Sequence, residues 1–263
     1  MEFTGYVAAV FIGIILGILG GGGSILSIPI LVYLFGVEPV LASAYSLFIV
    51  GMTSFVGAIP KYRDHLVNLR TGFIFGVPSI ATIFVTRKWI VPMIPDVIFQ
   101  TADFPVTKRF LILGVFGLLM ILASVSLIRQ RNEIKKEDHR FKTFLVVIEG
   151  ALIGFLTGFV GAGGGFLIIP ALVLLTGLPF KTAVGTSLFI IAINSLIGFL
   201  GDVMNYRIEW QFLLIITALA IAGILIGNQM QKKVPAPKLR YSFGWFILFM
   251  GCYILIRELF SIY

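Results

Sequence analysis

The sequence predicts an all-α polytopic membrane protein made of two inverted-topology repeats, each with a glycine-broken pair of apolar helices. Three observations support this. Of the 263 residues, 59% are hydrophobic and only 12% are charged, whereas a soluble domain carries about 25% charged residues. A glycine-rich stretch occurs twice, at a fixed spacing. Lys and Arg concentrate in the segments between apolar runs, as they do in membrane proteins.

The repeat is visible without gaps in the alignment. Residues 13–57 match residues 154–198 at 19 of 45 positions, with a constant offset of 141. Both copies contain a cluster of small residues followed by a proline; the clusters are Gly20–Gly23 and Gly161–Gly165. Such self-similarity indicates an internal duplication.

Consecutive glycines predict a broken helix, because each costs about 1 kcal/mol relative to Ala in a helix interior. A break inside a bilayer is tolerated only where protein or a water-filled cavity covers it. The helix that restarts after the break offers free N–H groups, which suit an anion. Two such breaks at corresponding positions of two halves indicate a transport site. Gly13, Gly17, Gly154 and Gly158 have G-x-x-x-G spacing, and we interpret them as helix-packing positions.

Taken in order, the chain contains ten apolar segments, separated by short polar stretches. Residues 87–106 are predicted as a loop with a short interfacial piece around Trp89. If each broken pair is re-entrant, six full crossings remain; the alternative, that the pairs cross twice, stays open. The predicted segments are residues 3–20, 24–36, 39–60, 69–86, 108–128, 143–161, 165–177, 180–200, 210–231 and 241–260.

The predicted organisation is a first membrane repeat at 1–128, a charged cytoplasmic linker at 129–142 and a second membrane repeat at 143–263. With the linker inside, 14 of the 20 Lys and Arg residues fall on the inner side and six outside. The other inner segments are 61–70, Lys181 and 232–240. This distribution predicts that the halves face opposite ways and that both termini lie outside.

Several classes of function are excluded by what the sequence lacks. The net charge of +8 follows from cytoplasmic loops, so we expect no nucleic-acid partner. The single cysteine, Cys252, permits no intramolecular disulfide and no Cys metal site. Catalytic motifs and a P-loop are missing, so we predict no enzyme, no cofactor and no metal. The N-terminus has no basic n-region, and we expect no cleavable signal peptide.

The predicted substrate site combines the two glycine clusters with polar residues of the following segments. For the Ser and Thr side chains, packing or hydrogen bonding to a helix carbonyl is an equal alternative. Because no Lys or Arg is expected at mid-span, backbone N–H groups would hold an anion, with Lys61 and Arg70 attracting it at the inner mouth. The site residues are Gly20, Gly21, Gly22, Gly23, Ser24, Tyr45, Ser46, Gly161, Gly163, Gly164, Gly165, Thr186, Ser187 and Asn194.

Glu149 is a candidate proton-coupling residue. It is the carboxylate that we place within an apolar run, five residues before Gly154, about 7–8 Å along a helix axis. Burial disfavours the charged form of a carboxylate, so a proton carried there would offset part of an anion's charge. The alternative is an interfacial side chain that reaches the headgroups and has no role in transport.

The doubled G-x-x-x-G-x-x-G-x-G-G pattern followed by Pro resembles the TauE/SafE sulfite exporter family. Gly185-Thr186-Ser187-Leu188 strengthens the resemblance, whereas the first-half counterpart, Ala44-Tyr45-Ser46-Leu47, keeps the Ser and departs at the Gly.

This resemblance implies a secondary transporter that moves sulfite, sulfoacetate or related sulfonates outward across the plasma (inner) membrane of a prokaryote. The alternatives are an anion channel of the same fold and a non-transporting membrane scaffold or assembly factor. The exact substrate, the coupling ion, the direction of transport in vivo and the oligomeric state stay open.

Overall fold

The computed structural model describes residues 2–95, 97–101, 104–128 and 139–260. The first half contains five principal helices and a small antiparallel hairpin. A 3-10 turn at Gly20–Gly23 separates the first two helices, and a π-helical turn at Thr86–Ile90 prolongs the fourth. The elements are α1 (Glu2–Leu19), α2 (Ser24–Tyr33), α3 (Pro39–Arg63), α4 (Leu69–Val85), α5 (Val91–Met93), β1 (Val97–Thr101), β2 (Phe104–Thr107) and α6 (Lys108–Ile128).

The second half repeats this order of helices. The glycine break lies between α7 and α8, and short connections join the helices that follow. The elements are α7 (His139–Val160), α8 (Gly165–Thr176), α9 (Phe180–Val203), α10 (Trp210–Lys232) and α11 (Ala236–Phe260).

Local sequence explains where several helices begin. The Glu38 carboxylate accepts hydrogen bonds from the N–H groups of Val40 and Leu41, both at 3.1 Å, and Pro39 starts α3. The Asn68 side chain accepts from the Thr71 N–H and caps α4 in the same way. The Glu38 cap therefore fixes the start of α3, and the Asn68 cap fixes the end of the polar connection that joins α3 to α4.

Six described helices are long and apolar enough to cross a membrane: α3, α4 with its extension to Met93, α6, α9, α10 and α11. Four described apolar helical stretches are shorter, with 10–17 residues each: Thr4–Leu19 of α1, α2, Phe144–Val160 of α7, and α8. These four are the members of the two broken pairs. The six longer apolar helices confirm the all-α polytopic fold class. Large apolar side chains such as Phe73, Phe144 and Phe249 are exposed on the outer surface, where lipid would cover them.

Contacts between the halves follow a reciprocal pattern. Helix α1 packs on α10, and its counterpart α7 packs on α4, which is the counterpart of α10. Helix α3 packs on its own counterpart α9, and α6 on α11. Arg87 touches Ser43 in the first turns of α3 and Asp202 at the end of α9. At the other end, a Cβ on Gly185 would lie 3.3 Å from the Lys61 Cβ, so α3 and α9 run antiparallel.

The G-x-x-x-G glycines lie at close helix contacts. A Cβ on Gly17 would come within 2.6 Å of the Ile224 carbonyl oxygen of α10, and Gly13 meets the same helix one turn earlier. Gly154 and Gly158 meet α4 in the same way. The interpretation of all four residues as packing positions is therefore confirmed.

Some predicted boundaries are wrong. Residues 87–93, predicted as a loop, continue the helix that begins at Leu69, because Arg87 is buried against α9 and Pro92 lies at the start of a turn, where proline is tolerated. A β-hairpin follows instead of irregular chain. Helix α7 already begins at His139, within the predicted linker; residues 129–138 of that linker lie outside the described residues.

Candidate functional site

The two glycine breaks touch each other in the interior. A Cβ added to Gly21 would overlap the backbone of Gly165, and one added to Gly165 would overlap Gly21. Gly165 is the first residue of α8, and α2 begins three residues after Gly21. The N-terminal ends of two helices from different halves therefore converge at one place.

Neither converging helix has a hydrogen bond from a side-chain cap at its N-terminus. The first N–H groups of a helix have no partners within the helix, and its N-terminal end carries a partial positive charge. Both helices run away from this meeting point. Helix α2 ends at Tyr33, whose hydroxyl donates to Glu258 at 3.0 Å, and α8 ends shortly before Lys181. Two partial positive charges thus face a common region.

Buried hydroxyl groups without hydrogen-bond partners lie beside this region. The Ser195 Oγ has none in the described part of the chain, and a Cβ on Gly163 would approach it to 2.9 Å. The hydroxyls of Thr53 and Ser54 on α3 are equally buried and unpaired among the described residues. Since buried polar groups are normally paired, these groups are suited to a ligand.

Asn194 belongs to the same layer. Its Nδ2 donates to the Ser79 Oγ at 2.6 Å, whereas its Oδ1 has no partner among the described residues. Asn194 and Ser195 occupy the positions equivalent to Thr53 and Ser54 in the duplicated sequence. The antiparallel packing of α3 on α9 therefore gathers the polar positions of both repeats.

Arg87 is a buried charge in a stretch for which the sequence predicts an outer loop. Its side chain is 0% exposed. Its guanidinium donates to the Ser43 Oγ at 2.9 and 3.0 Å, and its Nε lies 3.6 Å from Asp202 Oδ2. A Cβ on Gly161 would overlap this guanidinium. A full positive charge thus lies against the second glycine break.

Two of the predicted serines donate to a backbone carbonyl three residues earlier in the chain. The Ser24 hydroxyl donates to the Gly21 carbonyl at 2.6 Å, and the Ser187 hydroxyl donates to the Val184 carbonyl at 2.8 Å. Ser46 pairs with Ser27 of α2. These three hydroxyls have hydrogen-bond partners, whereas the Ser195 hydroxyl has none among the described residues.

Two further predicted residues form hydrogen bonds with connections at the ends of the helices. The Thr186 hydroxyl accepts from the Asn68 N–H at 2.9 Å, in the connection between α3 and α4. The Tyr45 hydroxyl accepts from the Glu209 N–H at 2.9 Å, at the opposite end. Neither side chain joins the group around Ser195 through a hydrogen bond in the described structure.

The remaining predicted glycines differ in their surroundings. Gly20, with φ 67°, approaches Val184 of α9, whereas Gly23 packs back on Leu16 of α1. Gly164, with φ 73°, lies against Thr157. Gly22 lies within the 3-10 turn. The positive φ angles at Gly20 and Gly164 explain the need for glycine there.

Glu149 lies on α7, next to Gly150, which packs on the Phe75 carbonyl of α4. It is half-buried, and its Oε2 has no partner among the described residues. In the described structure no hydrogen bond links it to the residues around Ser195. Its role as proton carrier stays a prediction.

Charged side chains collect at the two ends of the α3–α9 pair. At one end, the positive charges of Lys181 and Lys232 repel the charge of the buried Lys61. The Lys232 ammonium, 2.8 Å from the Asp64 carboxylate, lowers the pKa of Asp64 through their hydrogen bond. This end combines three segments that the charge distribution predicts to lie inside.

The opposite end holds residues predicted to lie outside. Arg109 pairs with Glu258 at 3.2 Å, and Asn205 donates to the Lys88 carbonyl at 3.5 Å. A cavity of about 630 Å³ opens there. Its walls include Tyr33, Phe35, Glu38, Tyr45, Glu209 and Phe212. The two groups of charged segments are therefore separated along the helix axes.

Comparison with known proteins agrees with this architecture. A profile of the family described as "Sulfite exporter TauE/SafE" matches residues 6–254. The chain belongs to the TauE/SafE family. It is thus a multi-pass membrane protein and a membrane transporter of the TauE/SafE type.

Several TauE/SafE relatives match over nearly their full length. A "probable membrane transporter protein" of Xylella fastidiosa (strain 9a5c) is 30% identical over 94% of this chain and 92% of its own. YunE of Bacillus subtilis, with the same description, is 26% identical over 97% of this chain and 99% of its own. MJ0441 of Methanocaldococcus jannaschii is 26% identical over 94% of each. These relatives are named as transporters, not enzymes, and no solved structure matches the chain.

Proposed function

We propose that this TauE/SafE protein exports small sulfur-containing anions, such as sulfite, sulfoacetate or related sulfonates, by alternating access across the plasma (inner) membrane of a prokaryote. The observation that carries the proposal is the meeting of the uncapped N-terminal ends of α2 and α8, where Gly21 contacts Gly165, beside the Ser195 hydroxyl, which has no partner among the described residues. All of these groups donate hydrogen bonds or carry positive potential. A ligand that accepts several hydrogen bonds and carries negative charge complements them.

Arg87 strengthens the case for an oxyanion. Its planar guanidinium matches two oxygens of a sulfite or sulfonate group, and it lies against Gly161 of the second break. The family description names sulfite, which supports a sulfur oxyanion over other small anions.

Alternating access would come from one half rocking against the other around this site. The antiparallel packing of α3 on α9 and the reciprocal pairing of α1 with α10 and α7 with α4 support an inverted duplication. With Lys61, Lys181 and Lys232 inside, a positive inner mouth would attract anions from the cytoplasm. Both termini would then lie outside.

Cysteine labelling tests the inverted arrangement. In a Cys252→Ser background, a cysteine at position 65 should react with an impermeant reagent only from the inside, and one at position 205 only from the outside. A cysteine at position 136 should label with position 65. Labelling of positions 65 and 205 from the same side would show that the repeats are parallel.

Flux measurements test the transport activity. Proteoliposomes should take up sulfite or sulfoacetate with saturation and counterflow, whereas sulfate, thiosulfate and taurine serve as comparison substrates. A channel of the same fold would conduct without counterflow. A scaffold would transport none of these compounds, and that result would contradict the proposal.

A further inference from the structure

The buried side chains of Arg87 and Asp202 form a long ion pair without a hydrogen bond between them. Both side chains are 0% exposed, yet Nε and Oδ2 are 3.6 Å apart, beyond the roughly 2.7–2.9 Å of a charge-assisted hydrogen bond. The Arg87 Nε and both Asp202 carboxylate oxygens have no hydrogen-bond partner among the described residues. The two charges attract each other, but each keeps unused hydrogen-bonding capacity.

This pair lies beside the candidate anion site. The Arg87 guanidinium lies against Gly161, two residues before Gly163, which faces the unpaired Ser195 hydroxyl. An oxyanion at the second break would offer the guanidinium two acceptor oxygens in good geometry. It would therefore compete with Asp202 for Arg87.

We propose that a bound sulfur oxyanion takes Arg87 from Asp202, and that Asp202 then takes up one proton from water. This inference rests on the proposed function. A buried carboxylate without a counter-charge raises the free energy of the protein, and protonation removes that charge and its cost. The proton adds to a carboxylate oxygen, and no bond in the anion breaks. When the anion leaves, Arg87 returns to Asp202 and the proton is released.

Other ionisable groups do not replace Arg87 as the partner of Asp202. Arg87 is the charged group that interacts electrostatically with Asp202 in the described structure. Tyr206 interacts electrostatically with Arg87. The ammonium of the next residue, Lys88, lies over the rings of Phe84 and Trp89, at 5.5 and 5.3 Å from their centroids. The carboxylate at the start of α3, Glu38, caps its own helix.

The residues equivalent to Arg87 and Asp202 in the duplicated sequence do not form a second Arg–Asp pair. At the offset of 141 residues, Asn228 occupies the position of Arg87, and Lys61 occupies the position of Asp202. Asn228 donates to the Gly57 carbonyl at 3.2 Å, so it serves helix packing. We therefore expect about one proton for each anion bound.

Binding of sulfoacetate to the purified protein tests the inference, because this anion does not itself titrate near neutral pH. In weakly buffered solution the parent protein should take up about one proton per sulfoacetate. Its affinity should then rise as the pH falls, by up to about tenfold per pH unit, because the complex binds one proton more.

Asp202→Asn should bind sulfoacetate more tightly than the parent at alkaline pH, without proton uptake and without pH dependence. A purely structural role would instead predict weaker binding. The matched control is Glu258→Gln, which neutralises the acid of the second ion pair at the same end, Arg109–Glu258. It should keep the proton uptake of the parent.

A double variant guards against misfolding of the single one. Arg87→Gln with Asp202→Asn removes both charges together, which buried pairs often tolerate. It should bind sulfoacetate at least about 30-fold more weakly than Asp202→Asn and take up no proton.

Binding by the parent without proton uptake, proton uptake by Asp202→Asn, or tight binding by the double variant would each overturn the inference. In these cases sulfoacetate transport by the parent would leave the proposed function intact. A parent that neither binds nor transports sulfite or sulfonates would overturn both.

Discussion

The two glycine breaks begin from matching sequences and lie in different surroundings. The first, Gly20–Gly23, forms a 3-10 turn whose glycines approach apolar side chains and backbone, namely Val184 and the backbone of α1 and α8. The second has positive φ angles at Gly161, Gly163 and Gly164, and its first two glycines face Arg87 and Ser195. Both breaks thus precede helix starts without a side-chain cap, and in the described structure the charged Arg87 lies against the second break.

The largest expected effect comes from a side chain at the second break. Gly163→Ala should abolish transport, because its Cβ would press on Ser195 at 2.9 Å and on Val50 at 2.8 Å. The measurement is sulfite uptake into proteoliposomes at matched protein content.

Gly177→Ala is the matched control for this variant. Gly177 has the same φ of 66°, but a Cβ there meets nothing within 4 Å. Both variants incur the left-handed backbone cost of about 1–2 kcal/mol, and Gly163→Ala adds the strain of its close contacts with Val50 and Ser195, so its stability should fall further. Equal transport by the two variants would contradict a ligand role for the second break.

A smaller effect is expected from the unpaired hydroxyls. Ser195→Ala should raise the KM for sulfite about tenfold, the loss of one hydrogen bond to a charged group. Ser54→Ala, at the equivalent position of the first repeat, should raise the KM by less than about threefold. Neither should lower the thermal stability, since each removes an unpaired buried hydroxyl. Equal KM changes would mean that both hydroxyls bind the anion.

The sequence sufficed to predict the helices, the two breaks and the packing role of the G-x-x-x-G glycines. Each of these follows from a local pattern or from the offset between repeats. The partnership of Arg87 with Asp202 does not, because a charge next to Lys88 at the end of an apolar run is typical of a loop. Its burial depends on the packing of α9 against α4, which no local pattern contains.

The serines show a second limit of sequence reasoning. Ser24, Ser187 and Ser195 look alike in sequence, and all three have a backbone carbonyl within reach in a helix. Ser24 and Ser187 use it, whereas Ser195 does not. The choice depends on the rotamer that each packed interface permits, so only the folded structure shows which serine hydroxyl stays unpaired among the described residues.

The smallest effect is expected at Glu149, and it separates two carboxylates as proton carriers. Glu149 lies on α7 before the second break, without a basic partner that acts on it in the described structure, whereas Asp202 faces Arg87 beside that break. If displacement from Arg87 drives proton uptake, Glu149→Gln should respond to an imposed pH gradient as the parent does, and Asp202→Asn should not. The measurement is sulfoacetate flux into proteoliposomes with the inside acidic or alkaline. Loss of the response in Glu149→Gln alone would assign the proton to Glu149 and leave the Arg87–Asp202 pair with a structural role.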